Sequence, residues 1–420
     1  MNPKHLGPGL LLAATSIGAS HLLLSPEAGA RFGTDLIWLV LAVHLVKYPA
    51  FEMAPRYVAA RGESLLDAYA AAPGPPLWAI RLGLADMTVQ AIGLIAALIG
   101  LTASFVVEAT GGLGLGLALW SLLLAVVLLG LLALGRYGTL RWINLALLIG
   151  LAAGTLVAFI AARPSPPALA AGLVPRLPDG SLLLVAAILG YMPTSAAVSV
   201  WQSLWALEQG RFGSPGDDAA TRQRNLRRGL FDLRLGYGLS AALAVAFVAL
   251  GAALLAPRGL VPEGTDVALV LSRLYTLVLG EWMRPVVLAM AFAALFTTCY
   301  TMMDGFPRSF VAARRVLRGE PARASSTETP DRGTWTFLLA VTFGGMAILA
   351  LLPDPTLLVK WVGAAGLVLS PVYYTLNLWA VTRRVDDPAM RPGPISLILA
   401  GLGIATMVFA AGLLLWTIAT

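Results

Sequence analysis

Two apolar segments of this 420-residue chain carry residues near their middles that a continuous helix would not choose. The first reads Ser16-Ile17-Gly18-Ala19-Ser20-His21, followed by Ser25-Pro26-Glu27 and Gly29; the second reads Gly190-Tyr191-Met192-Pro193-Thr194-Ser195. Proline removes a backbone donor and crowds the carbonyl one turn back, and glycine costs about 1 kcal/mol in a helix interior, so both places favour unwinding. Unwound backbone at bilayer depth is tolerated only against protein or a wet cavity, where freed carbonyls attract cations and half-helix N-termini attract anions. The spacing therefore predicts a substrate-binding place built from Gly18, Ala19, Ser20 and His21 on one side and Gly190, Tyr191, Met192 and Thr194 on the other. His21 and Met192 are its soft donors for a metal ion. His21 is equally readable as a proton carrier or a plain interhelical hydrogen-bonding group, and Met192 as core filler.

The elements that must position these residues are membrane spans. The chain is 58% hydrophobic and 12% charged, about half the charge of an ordinary soluble domain, and its mean hydropathy is +0.80. Apolar runs long enough to cross a hydrocarbon core about 30 Å thick recur along the whole length. They predict an all-α integral membrane protein with about eleven transmembrane helices, near 8–30, 35–54, 77–108, 115–135, 139–162, 181–208, 228–256, 285–311, 335–352, 357–381 and 393–418. The amphipathic stretch 55–72 is expected at the interface, and a further short helix near 266–279. The interrupted helices are numbers one and six, five apart, so they hold matching positions in two five-helix halves, and an odd number of helices per half inverts the second. The whole chain, 1–420, reads as one transporter domain: a first repeat about 8–162, an inverted second repeat about 181–381, and an extra helix about 393–418.

Charge supports an orientation. Of the 29 Lys and Arg residues, only Arg31, Arg163, Arg176, Arg258, Arg273, Arg284 and Lys360 fall on the outer side if the N-terminus is cytoplasmic, which is the strong inside bias that orients multi-pass proteins and leaves the C-terminus outside. A plasma (inner) membrane location and a bilayer partner follow, and the net charge of +7 needs no nucleic acid, since no basic tract interleaved with aromatics exists. One cysteine, Cys299, excludes an intrachain disulfide and a multi-cysteine metal site. Three histidines without triad spacing argue against an enzyme, and no cofactor motif is present.

The chain resembles the Nramp (natural resistance-associated macrophage protein) family. The resemblance rests on Gly7-Pro8-Gly9, on Glu27-Ala28-Gly29-Ala30-Arg31-Phe32-Gly33 with the following Leu36 to Ala42, on Met192-Pro193, and on Arg224-Asn225-Leu226-Arg227-Arg228. It implies a leucine-transporter-like 5+5 inverted repeat with broken helices one and six, and transport of a divalent metal of the Mn/Fe/Mg class. The family's Asp-Pro-Gly-Asn motif is here Gly18-Ala19-Ser20-His21, its Met-Pro-His is Met192-Pro193-Thr194, and its acidic helix-three positions are Gly93 and Ala96. The resemblance thus implies an altered metal site and weak or absent proton coupling. A small organic solute such as an amino acid is the alternative cargo, suited to a break with free backbone groups and no carboxylate. Among nearby polar residues, Glu27 and Arg31 read as an i,i+4 pair and Asp86 as a partner of Arg81 or an acid of helix three; helix two carries His44, Lys47 and Glu52 toward its inner end, with Lys47 to Glu52 read as a solvated or snorkelling cluster.

Overall fold

A computed structural model describes residues 18–134, 137–208, 218–322 and 332–420, with the backbone alone for 137–148 and Thr265. The first half of helix one and Gly7-Pro8-Gly9 lie outside the described residues, as do 209–217 and 323–331 of the two long loops. The described residues form helices and connecting turns, without a strand. Among the described residues, seven helices are long and apolar enough to span a membrane: Ile37–Arg61, Trp78–Gly114, Ala219–Arg258, Met283–Leu317, Arg332–Leu351, Pro355–Arg384 and Pro394–Ala419. They correspond to helices two, three, seven, eight, nine, ten and eleven. Leu117–Ala133 and Tyr137–Ala162 supply helices four and five. Large apolar side chains such as Val126, Ile160, Phe343, Phe409 and Trp416 face outward, as a lipid-facing belt requires.

Helix six is two pieces, Leu182–Tyr191 and Val198–Glu208. At 1.5 Å per residue each piece extends only about 15 Å, half a bilayer core, so the helix crosses only as a pair of halves meeting at mid-depth. Helix one enters the described region at a bend at Gly18, makes a π-turn over Ser20–Leu24 and continues as Ser25–Phe32. Pro26 explains the π-turn: it has no N–H to return to the Leu22 carbonyl, so the ladder shifts by one residue and Ser25 N–H bonds Ser20 O instead.

Several boundaries differ from the sequence expectation, helix eight among them, which runs to Leu317 and not to 311. Helix two does not stop at 54 but runs through Pro49 and Pro55 to Arg61, ending where Gly62 turns left-handed (φ 65°). The interfacial helix is only Leu65–Ala70, started by a capping box between Ser64 and Asp67. Helix seven begins nine residues early, at Ala219, because Asp218 caps it by accepting from Thr221 N–H. The short helix Val267–Leu279 lies where expected.

Glycines decide how closely the broken helices approach their neighbours. A Cβ on Gly190 would lie 1.9 Å from the Gly363 carbonyl oxygen of helix ten, and one on Gly29 would lie 2.0 Å from Val248 O of helix seven. The facing residues are also glycine: a Cβ on Gly363 would lie 3.0 Å from Ala187 Cα, and one on Gly251 would lie 2.4 Å from Pro26 O. Helix six's first half is thus clamped to helix ten, and helix one's second half to helix seven, by backbone-to-backbone contact of the small-residue kind that membrane helices use.

Candidate substrate site at the helix breaks

At the break of helix one, Gly18 packs against helix eight, where an added Cβ would meet Thr298 Oγ1 at 3.0 Å. Ala19 and Ser20 are buried, and the Ser20 hydroxyl reaches toward the Pro193 carbonyl at 3.4 Å, the polar link between the two breaks. His21 is fully buried and uses both ring nitrogens. Nδ1 lies 2.9 Å from Ser20 Oγ, while Nε2 lies 3.0 Å from the Ser240 carbonyl and 2.9 Å from Ser240 Oγ on helix seven. The carbonyl can only accept, so Nε2 carries the proton and Nδ1 accepts from Ser20, whose single O–H is then spent and leaves Pro193 O as a close polar neighbour only. The chain continues to His44 of helix two, whose Nδ1–H donates to Val40 O at 2.7 Å and whose Nε2 accepts from Ser240 Oγ at 2.9 Å. The two imidazoles stand edge to face with centroids 6.3 Å apart. His21 is therefore tied to helices two and seven through Ser240.

At the break of helix six, Met192 is buried in extended conformation (φ −102°, ψ 132°), the Met192–Pro193 peptide is cis, and the turn over Ser195–Ala197 leads into the second half. Tyr191 and Thr194 are buried as well. The carbonyls of Leu189, Gly190 and Thr194 converge on one group, the Lys47 ammonium, at 3.0, 3.1 and 2.9 Å. This corrects the reading of Lys47 as snorkelling: its side chain is 0% exposed. It lies ten residues into helix two, about 15 Å from that helix's start and so at mid-core. Neither motif nor resemblance pointed to it; its depth within an apolar run was the signal available. Glu52, grouped with it on sequence, instead accepts from Arg56 and from Ser396 of helix eleven.

Two networks flank the breaks. Asp86 of helix three accepts from Gln90 Nε2 at 2.9 and 2.8 Å and from the Tyr373 hydroxyl of helix ten at 2.8 Å, so its partners are Gln90 and Tyr373, not Arg81. Ser195 donates to Gln90 Oε1 at 3.0 Å, connecting this acid to the helix-six break. Beyond the other face, Glu27 Oε1 accepts from Arg31 at 2.9 Å and from Lys360 of helix ten at 2.8 Å, while Arg31 also pairs with Glu263. The three threonines of helix eight bond back onto their own helix: Thr297, Thr298 and Thr301 donate to carbonyls three or four residues back. Among the described residues no group of three or more His, Cys, Asp and Glu side chains could hold a metal ion. Any cation at the breaks would rest on carbonyls, hydroxyls and single soft donors.

Comparison with known proteins agrees with this architecture. The profile of the family described as natural resistance-associated macrophage protein-like matches residues 9–420. An uncharacterized protein of Pasteurella multocida is 28% identical over 398 residues, covering 90% of this chain and 85% of that one. The divalent metal cation transporter MntH of Chromohalobacter salexigens is 29% identical over 259 residues, covering 60% of this chain and 57% of its own length. Among solved structures, the manganese transporter of Eremococcus coleocola superposes with a TM-score of 0.73 at 16% identity, over 96% of this chain and 84% of that one. The nucleobase-cation-symport-1 transporter Mhp1 superposes with a TM-score of 0.63 at 14% identity, over 99% and 94%. These structural likenesses carry the leucine-transporter-like fold, and the family profile carries membership: this chain is a multi-pass membrane protein of the Nramp family.

Proposed function

We propose that the chain is a secondary transporter moving a divalent metal cation by alternating access around the two breaks. The observation that carries this reading is the approach of the helix-one π-turn to the helix-six break, with Ser20 Oγ facing Pro193 O, in a member of a family whose relatives include divalent metal transporters. Gly18, Ala19, Ser20, His21, Gly190, Tyr191, Met192 and Thr194 form the substrate place, with the His21 imidazole and Met192 thioether as its soft ligands. His21 must release Ser20 or Ser240 to ligate, so binding is coupled to a rearrangement between helices one and seven. Soft donors without a carboxylate favour Mn²⁺, Co²⁺ or Cd²⁺ over Mg²⁺ or Ca²⁺. Gly93 and Ala96 cannot carry protons, so coupling to a proton gradient is weak. The repeats run about 8–162 and 181–381, with the N-terminus cytoplasmic; Asp217→Cys and Ser325→Cys should label only from that side, the native Cys299 being buried.

Mn²⁺ and Cd²⁺ uptake into proteoliposomes by wild type, His21→Ala and Met192→Ala is the test. Uptake by wild type, lowered tenfold or more in both variants, is expected; no divalent uptake by wild type, or full uptake by both variants, sinks the reading. One observation favours a small organic solute instead: the Lys47 ammonium already sits on the helix-six carbonyls, and among the described residues no cluster of acidic or His side chains stands ready for a further dication. A thermal-shift screen of the purified protein against divalent metals and amino acids separates the two, because a ligand raises the melting temperature of the state it binds.

A further inference from the structure

Lys47 is not a chance contact, because the sequence of helix six creates its acceptors. In a continuous helix the Leu189 carbonyl would accept from residue 193 and the Gly190 carbonyl from residue 194. Residue 193 is proline, which has no N–H, and the chain leaves the helix at Met192, so the end of the first half presents unpaired carbonyls at its negative dipole end. The Thr194 carbonyl returns from the other side of the break. Three carbonyl oxygens at 2.9–3.1 Å match an ammonium's three N–H groups, which have no accepting lone pair to leave unsatisfied. Among the described residues Lys47 forms no ion pair with a carboxylate, so its charge is balanced by these carbonyls and the helix end.

We propose that the Leu189, Gly190 and Thr194 carbonyls form a monovalent, ammonium-type cation site at the helix-six break, which this chain keeps filled with its own Lys47 side chain. The tethered cation does two things. It satisfies the backbone of the break without a co-bound inorganic ion. It also withholds these three carbonyls from any cargo cation, which makes Lys47 a specificity-determining residue. Only this second consequence rests on the breaks being the cargo site; the site itself does not.

The test needs no cargo. Lys47→Ala deletes a propylammonium's worth of side chain and leaves the carbonyl cage vacant, so n-propylammonium should refill it. The melting temperature of purified Lys47→Ala is expected to fall below wild type and to rise by several degrees, saturably, with millimolar n-propylammonium. Tetramethylammonium, charged but without N–H donors, should not raise it, and neither wild type nor Lys47→Met should respond to either amine. Should Lys47→Ala survive purification only when n-propylammonium is present throughout, that too supports the site. The proposal is overturned if n-propylammonium neither stabilises Lys47→Ala nor improves its recovery, if it stabilises wild type equally, or if Lys47→Met is as stable as wild type. Metal uptake is not read at any point, so a failure of the transport reading and a failure of this one are told apart.

Discussion

The two broken helices solve one problem in opposite ways. Both must satisfy backbone groups at a depth where water is scarce. Helix one pairs the Ser20 carbonyl within the chain by swelling into a π-turn, and its His21, held by Ser20, reaches out to Ser240 and through it to His44. Helix six opens fully, leaves its carbonyls bare, and receives one side chain from another helix to cover them. The first break is therefore held by its own side chains, the second by its backbone. The difference traces to proline placement: Pro26 sits one turn past a stretch that can still coil, whereas Pro193 sits where the Leu189 carbonyl needs its N–H.

This contrast breaks first at the glycine clamps, which both halves share. Gly190→Val puts side-chain atoms into the Gly363 carbonyl and Gly29→Val into Val248 O, both backbone neighbours that cannot rotate away. Each should destabilise by about 3 kcal/mol or more, at the upper end of overpacking, seen as loss of the monodisperse peak in size-exclusion chromatography. Gly93→Ala, whose nearest neighbour is the Val362 side chain, should be milder by comparison.

Next comes the ion pair that ties helix one to helix ten. Glu27 is 1% exposed and among the described residues its Oε2 has no hydrogen-bond partner, so the carboxylate depends on Lys360 and the half-exposed Arg31 at Oε1. Breaking a fully buried pair costs about 3–5 kcal/mol; with Arg31 retained, Lys360→Met should cost about 2 kcal/mol, and Lys360→Met with Glu27→Gln should recover part of it. A double variant no more stable than Lys360→Met would deny that the buried charge is what matters. Smaller again is the coupling across Ser240. His21→Ala and His44→Ala share one hydroxyl, so their double-mutant cycle should show about 1 kcal/mol of non-additivity, whereas His21→Ala with Lys360→Met should be additive.

The sequence was informative where a backbone rule acts locally. Spans followed from apolar length, the interruption of helix six from Pro193, and the family from short motifs around helices one and six. Helix two outran its expected end because proline is tolerated inside a packed membrane helix and the true stop is Gly62. The partners of the breaks were hidden for a different reason. Lys47 and Ser240 are 142 and 219 residues from the groups they meet, and nothing local to either residue names a partner that only the fold brings near. Asp86 shows the same limit. Arg81 was the nearby opposite charge in sequence, but Gln90 lies one helical turn along and Tyr373 arrives from helix ten.

The smallest expected effect is also the sharpest on the contrast between side-chain and backbone closure. At the first break the Ser20 hydroxyl meets His21 Nδ1 and the Pro193 carbonyl. Removing it in Ser20→Ala leaves a buried imidazole nitrogen without its donor, which should cost about 1 kcal/mol. At the second break Lys47 uses the carbonyl of Thr194, not its hydroxyl. The backbone oxygen survives in Thr194→Ala, so that variant should lie within about 0.5 kcal/mol of wild type, less the loss of one small buried methyl. Thermal unfolding of the two variants under one detergent condition checks this. A drop for Thr194→Ala as large as for Ser20→Ala would mean that side chains hold both breaks, and that Lys47 covers helix six without being what closes it.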